Sequence, residues 1–277
     1  MVLPVHDENP LRRTPWVTYA LVAANVIVLL LTPASRVSVT GPSAQAQLCS
    51  QTAFYDRYAA IPRELTTNRQ LPQVATGQPG PRPDTCYVGR PAYHKEPALS
   101  VLFAMFLHAG WLHLLGNMLF LWIFGVNVED ILGHAVFLLF YLLCGIIASM
   151  AHVAWVMTFD GFTSESALIP SLGASGAISG VLGAYFLFFP TRPVLVLLFR
   201  FLTWVPAYVA IGIWFVFQLI NGLGMLGEGS QATGVAYAAH IGGFAAGAVM
   251  GSVWLLTGQK LPGPETWRGP RYYPRRW

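Results

Sequence analysis

Six apolar runs, each close to a membrane thickness in length, dominate the chain: residues 15–32, 111–127, 134–158, 172–189, 204–221 and 234–256. An α-helix needs about 20 apolar residues to cross about 30 Å of hydrocarbon, where every backbone polar group must be satisfied within the protein. The runs are therefore predicted to be six transmembrane helices. Charged residues make up 10% of the chain, far below the roughly 25% of a soluble domain, which excludes a soluble globular fold. The expected fold is an all-α membrane protein with residues 1–14 a cytoplasmic segment, 15–256 a six-helix membrane domain and 257–277 a basic cytoplasmic tail. A long outer loop, 33–98, is inserted after the first span. The first run, Trp16 to Leu31, is read as a retained span because Thr32-Pro33-Ala34 makes a poor cleavage site. Two shorter apolar stretches remain. Leu99 to Leu107 reads as a half-buried helix or turn at the outer surface, and Val194 to Phe201, broken by Arg200, as its inner counterpart.

A net charge of +4 would suit nucleic acid only if it were gathered in one patch. The basic residues are spread along the chain, so no nucleic-acid partner is expected and their distribution reports topology instead. Arg12 and Arg13 precede the first run, Arg192 and Arg200 lie between the fourth and fifth, and Lys260, Arg268, Arg271, Arg275 and Arg276 follow the sixth. The connections 159–171 and 222–233 hold no Lys or Arg. Basic residues mark the cytoplasmic side, which puts both termini in the cytoplasm, as in a plasma-membrane protein, and 33–98 outside. The basic residues of 33–98 weigh little, because loops longer than about 60 residues translocate largely regardless of charge. Cys49 and Cys86 both fall in this loop. An oxidising exterior would permit a disulfide between them, and two unpaired thiols are the alternative. Cys144, in the middle of a run, reads as a small packing residue.

With both ends inside, runs two, four and six all start at the outer side. His113 and Asn117 fall near the start of run two, Ser175 near that of run four and His240 near that of run six, so four polar groups far apart in sequence share one depth. Small residues recur every four positions, at Gly176 and Gly180 on run four and at Gly243, Gly247 and Gly251 on run six. That spacing lets helix backbones approach in lipid, where association rests on van der Waals contact. Runs four and six are expected to touch and to bring Ser175 and His240 within hydrogen-bond reach, about 2.6–3.2 Å.

A serine becomes a nucleophile when a base removes its proton, and a neutral imidazole suits that task near pH 7. Taken singly, a serine in a span can instead bond its own i−4 carbonyl and a histidine can bond a neighbouring helix. No carboxylate falls at the same depth: Asp160, Glu165 and Glu228 lie in outer connections, Glu129 and Asp130 at inner helix ends. A Ser-His dyad is therefore expected, with the histidine oriented by packing or by a backbone carbonyl. His113 and Asn117, four apart on one helical face, could hold a developing oxyanion together with the Ser175 amide. The alternatives are an interfacial ring for His113 and interhelical bonding for Asn117.

His113-Leu114-Leu115-Gly116-Asn117 resembles the H-x-x-x-N element of the rhomboid intramembrane serine proteases. Gly173-Ala174-Ser175-Gly176 resembles their G-x-S-G element, and Ala239-His240 with Gly243 and Gly247 their A-H-x-x-G-x-x-x-G element. The three occur in order on alternate runs, and the likeness covers about residues 99–256. Phe106 to Trp111 and Gly125 to Glu129 are similar to the flanks of the family's second span. The resemblance implies a six-helix bundle in which Ser175 attacks a peptide bond of a substrate's transmembrane segment. His240 would act as base and then as acid, with His113, Asn117 and the Ser175 amide holding the oxyanion. It further implies transmembrane protein substrates within the lipid bilayer, no cofactor, water entering from the outer face, a mobile cap at Asn221 to Thr233 and a lateral gate at run five. Two positions depart from the family. The loop 33–98 contains no tryptophan, so the Trp-Arg pair of many relatives is absent. Ser179 stands four residues after Ser175, where some relatives place an aromatic ring against the histidine, so His240 must be held another way.

Other classes predict different sequences. A rhomboid-like pseudoprotease, or a chaperone that binds membrane helices without cutting them, has no need of both Ser175 and His240. A small transporter would show internal repeats and polar groups distributed through the bilayer. His134 and His152 lack partners at metal-ligand spacing, so no metal site is expected. Glu129 reads as a structural acceptor at the inner face, and His108 as a support for His113 or an interfacial residue. The tail reads as a disordered segment attracted to an anionic leaflet. None of these features bears on oligomeric state.

Overall fold

Apolar length, proline placement and one long-range strand pairing decide how the chain is built. The structure is a computed structural model and describes residues 2–9, 11–36, 41–82, 85–198, 200–222 and 236–258. In chain order the elements are β1 (Val2–Asp7), α1 (Trp16–Leu31), α2 (Gly41–Tyr58), α3 (Pro62–Thr67), β2 (Val74–Pro79), β3 (Cys86–Gly89), α4 (Pro97–Ala104) and α5 (Trp111–Phe120). They continue as α6 (Val126–Leu132), α7 (His134–Trp155), α8 (Ser175–Phe188), β4 (Pro193–Leu198), β5 (Phe201–Pro206), α9 (Ala207–Gly222) and α10 (Tyr237–Leu256). A π turn, Leu121–Gly125, joins α5 to α6, and another, Val156–Asp160, extends α7.

Among the described residues, three helices are long and apolar enough to cross a membrane: Trp111–Leu132, His134–Asp160 and Tyr237–Leu256. The apolar helices α1, α8 and α9 have 16, 14 and 16 residues, so at 1.5 Å per residue they reach only about 21–24 Å. Each is cut short for a visible reason. Pro15 and Pro33 bracket α1, since proline breaks a helix interior but is tolerated at its edge. The chain turns at Gly173, φ +119°, just before α8, and β5 takes the first residues of the run from which α9 was predicted. The protein is an integral membrane protein: large apolar side chains such as Leu112, Leu115, Leu139, Val249 and Leu256 face outward, while Leu121, Phe124, Phe137, Leu182 and Tyr185 form the core between α5 and α8.

The stretch read as the inner helix or turn is instead built on strands, Pro193–Leu198 and Phe201–Pro206. β4 and β5 form an antiparallel hairpin running from Pro193↔Pro206 to Leu198↔Phe201, and β1 pairs with the other edge of β4 from Val2↔Leu198 to Asp7↔Val194. Val194 and Val196 are buried at alternate positions, the period of two that a strand requires. This sheet closes the end of the bundle opposite Ser175. There the Asp7 carboxylate accepts hydrogen bonds from Asn9 (2.9 Å), Asn127 (2.6 Å) and the Tyr185 hydroxyl (2.9 Å). Burial raises the Asp7 pKa, and these donors oppose the rise. Glu129 accepts from the Val17 and Thr18 amides and the Thr18 hydroxyl, and Asp130 from the Arg12 and Arg13 amides and the Arg12 guanidinium. The two carboxylates thus receive the unpaired N–H groups at and before the start of α1.

At the Ser175 end, the stretch read as an outer loop carries a folded subdomain of α2, α3 and the β2–β3 hairpin. The Cys49 and Cys86 sulfurs are bonded, with Cα atoms 5.4 Å apart and a sequence separation of 37, a closure worth about 4 kcal/mol in chain entropy. Lys95 donates to Glu64 (2.6 Å) and to the carbonyls of Asp56 (2.8 Å) and Ala59 (2.7 Å), with both charged side chains buried. Burial lowers the Lys95 pKa against the opposing pull of Glu64, and it raises that of Asp56, which accepts from the Ala75 amide at 2.8 Å. Tyr55 Oη donates to the His108 carbonyl at 2.9 Å, and Ala60 pairs with Ser171, which seats the subdomain on the membrane bundle.

Candidate active site

The glycine-spaced faces of α8 and α10 meet backbone to backbone. A Cβ built on Gly180 would stand 3.1 Å from the Gly243 carbonyl oxygen, and one on Gly247 only 2.5 Å from the Gly180 Cα. Gly176 faces α7, where a Cβ would stand 2.6 Å from that of Ala148. This approach carries Ser175, the first residue of α8, and His240, in the first turn of α10, to an Oγ–Nε2 separation of 2.7 Å.

The helix start also exposes donors. The α8 hydrogen-bond ladder begins with Ile178 N–H on the Ala174 carbonyl, 3.0 Å, so the amides of Ser175, Gly176 and Ala177 have no intrahelical acceptor and sit at the positive end of the helix dipole. Gly173 presses against His113 and Asn117: a Cβ there would lie 3.0 Å from His113 Nε2 and 3.7 Å from Asn117 Nδ2. Its φ of +119° is itself a conformation that favours glycine. The Ala109 amide donates to His113 Nδ1 at 3.4 Å, so a neutral His113 ring carries its proton on Nε2, the edge nearest Gly173. Asn117 Nδ2 lies 2.9 Å from His108 Nε2, which uses one of its two hydrogens. The His108 ring also packs edge-on against His113, centroids 5.1 Å apart. His108 thus backs both residues read as oxyanion donors.

His240 Nδ1 lies 2.8 Å from Gln218 Oε1 on α9. The ring is flanked by Trp214 of α9, centroids 6.2 Å apart, and edge-on by Tyr237, 6.4 Å. A side-chain amide therefore stands where packing or a backbone carbonyl was expected. Ser179 turns to its own helix and donates to the Ser175 carbonyl at 2.7 Å. Sequence reasoning missed Gln218 and Trp214. The signal for the first was a lone amide inside the apolar stretch Phe215 to Ile220, since a polar side chain in lipid must find a partner.

A cavity of about 900 Å³ joins these groups, bordered by His113, Asn117, His152, Ser175, Tyr237 and His240. Among the described residues no cluster of His, Cys, Asp or Glu has the geometry to hold a metal ion. Residues 223–233 of the connection read as a cap, and 259–277 of the tail, lie outside the described residues. Chemically, the arrangement offers a hydroxyl with a base in hydrogen-bond contact and amide and imidazole donors beside it, the elements of acyl transfer.

The family model for the Rhomboid domain matches residues 95–257, more than half of the chain. The chain belongs to the rhomboid family. It is 31% identical over 159 residues to "Rhomboid protein 1, mitochondrial" of Saccharomyces cerevisiae, a match covering 57% of this chain and 42% of the yeast protein. It is 33% identical over 164 residues to "RHOMBOID-like protein 7" of Arabidopsis thaliana, covering 59% and 45% of the two chains. "Rhomboid protease GluP" of Bacillus subtilis matches at 45% identity over 78 residues, 28% of this chain and 13% of that protein. The match thus spans less than half the length of each of these relatives. Within this rhomboid, the matched family domain contains Ser175, His240, His113 and Asn117, while most of the disulfide-bonded subdomain and the whole of β1 lie before it.

Proposed function

We propose that this rhomboid is an intramembrane serine endopeptidase that cleaves membrane proteins in or near their transmembrane segments. The observation that carries the reading is the 2.7 Å contact of His240 Nε2 with Ser175 Oγ, with His113 and Asn117 packed against Gly173 two residues before the serine. Ser175 Oγ attacks the scissile carbonyl as its proton passes to His240 Nε2. The oxyanion that forms is held by the Ser175 amide, His113 Nε2–H and the Asn117 amide. Collapse of the intermediate breaks the C–N bond, and His240 returns the proton to the leaving amine. Water, deprotonated by the same imidazole, then releases the acyl group from Ser175. None of these steps calls for a cofactor.

All six apolar helices span the bilayer in this reading, both termini are cytoplasmic, and the Ser175 end faces the outer leaflet. The short α8 fits that placement. Irregular backbone before Ser175 is tolerated at membrane depth because it lines a cavity, which admits water to the serine. The substrate's helix must open to expose its carbonyl, so small residues at the scissile position and helix-weakening residues after it are expected in cleaved sequences. The competing reading is a member that binds membrane helices without cutting them. Purified protein, incubated with a model transmembrane substrate and with a fluorophosphonate probe, tests the two. Cleavage and labelling are expected for the wild type and neither for Ser175→Ala or His240→Ala. Full cleavage by either variant overturns the assignment, and a wild type inert to both substrate and probe favours binding alone.

A further inference from the structure

A glutamine in an apolar helix has to spend its amide on something. Gln218 is 6% exposed, on the face of α9 that also buries Ala210 and Ile211, and its Oε1 lies 2.8 Å from His240 Nδ1. The other nitrogen of the same ring is the one 2.7 Å from Ser175 Oγ. Two proton placements exist for a neutral imidazole here. With the proton on Nδ1, Gln218 accepts it, and Nε2 presents a lone pair to the serine hydroxyl. With the proton on Nε2, the Gln218 amide would have to turn its NH2 toward Nδ1, and the ring would point a hydrogen at the oxygen it should deprotonate. Trp214 and Tyr237 restrict the ring by contact, but a ring contact does not choose a tautomer; a hydrogen bond at the second nitrogen does.

We infer that Gln218 is the positioning residue of the proposed dyad, fixing the His240 tautomer and ring angle from a helix that carries neither Ser175 nor His240. This rests on the protease reading above and adds to it an uncharged third group. His113 from α5 and His152 from α7 are the other titratable groups that act on His240, with Tyr237 beside it on α10. Among the described residues no carboxylate bonds to either ring nitrogen. The imidazolium formed during attack is therefore met at Nδ1 by a carbonyl dipole, not by a charge.

The test measures kcat, KM and fluorophosphonate labelling rate for the full chain in detergent, with the pH profile of kcat/KM and thermal unfolding in parallel. Gln218→Leu, close in size and without an acceptor, is expected to leave KM within about twofold and to lower kcat and labelling on the order of 10²-fold, the scale of a general-base contribution. Gln218→Glu restores the acceptor. It is expected to recover most of kcat and, by placing a charge against the imidazolium, to move the acid limb of the profile to higher pH. Gln218→Leu with wild-type kcat overturns the role of Gln218 alone. So does an equal loss in both variants accompanied by a lower unfolding temperature, which marks a packing role. A wild type that neither cleaves nor labels overturns the protease reading itself and this inference with it.

Discussion

Two of the helices that α10 touches, α8 and α9, meet it in opposite ways. Against α8 it presents glycines, and the contact consists of what is missing: a Cβ at Gly247 would stand 2.5 Å from the Gly180 Cα. Against α9 it presents side chains, His240 on Gln218 and Trp214, and Phe244 stacked on Phe215 with centroids 4.3 Å apart. The first contact sets the distance between two backbones and so the Ser175–His240 separation. It leaves the rotation and the tautomer of the imidazole undetermined, and the second contact supplies them. In lipid, apolar surface gains little by moving from acyl chains to another helix, so the bundle is held by shape where it is closest and by polar pairs where a side chain must be aimed.

The sharpest way to break this comparison is to fill the glycine contact. In Gly247→Leu the added atoms meet backbone, which cannot rotate aside, and α8 and α10 must separate. Loss of cleavage and of probe labelling is expected, with destabilisation of about 4 kcal/mol or more, in the class that only severe overpacking reaches. Thermal unfolding and labelling of the purified variant check it. A folded, labelled Gly247→Leu protein would show that the glycines do not set the separation.

The same contrast explains what could be read from the chain without coordinates. The apolar runs and the four-residue glycine spacing are local patterns, and each has one physical meaning in a bilayer, so the closeness of α8 and α10 followed from them. Gln218 shows in the sequence only as a lone amide in an apolar stretch, because its meaning depends on a ring that approaches across the bundle. β1 was missed for a related reason: its partner β4, Pro193–Leu198, is remote from it in sequence, and the Val-Leu-Val-Leu stretch from Val194 fits a buried helix turn as well as a strand until that partner is known. Lys95 and Glu64, ordinary loop charges in the sequence, are buried in each other's company.

That buried pair extends the comparison to the subdomain at the Ser175 end, since polar pairs, unlike glycine contacts, can be exchanged for apolar ones. Lys95→Met leaves the Glu64 carboxylate buried without its cation and is expected to cost about 3 kcal/mol. Adding Glu64→Leu should recover most of that loss. Unfolding of the single and double variants measures both numbers, and a double variant no better than the single would mean that the pair cannot be replaced. Asp56 offers a milder version. Burial raises its pKa, so its contribution to stability is full below the unfolded value of 3.8 and is lost as pH rises through the folded one. Asp56→Asn can still accept the Ala75 amide and carries no charge, so at pH 7 it should change stability by about 1 kcal/mol or less. The decline in stability that Asp56 contributes as pH rises above 3.8 should be absent in the variant, and an unchanged dependence of unfolding temperature on pH would assign that decline to other groups.

The smallest effect is expected at a glycine that touches nothing. Gly212 lies on α9, and a Cβ there meets no atom within 4 Å. Alanine is favoured over glycine inside a helix by about 1 kcal/mol in water, so Gly212→Ala should be neutral or slightly stabilising and should cleave and label at the wild-type rate. Set beside Gly247→Leu, it separates composition from contact, because glycine is the starting residue in both and only the neighbours differ. Loss of labelling in Gly212→Ala would mean that α9, too, is held by close backbone approach, and the division between a helix pair fixed by shape and one fixed by side chains would no longer stand.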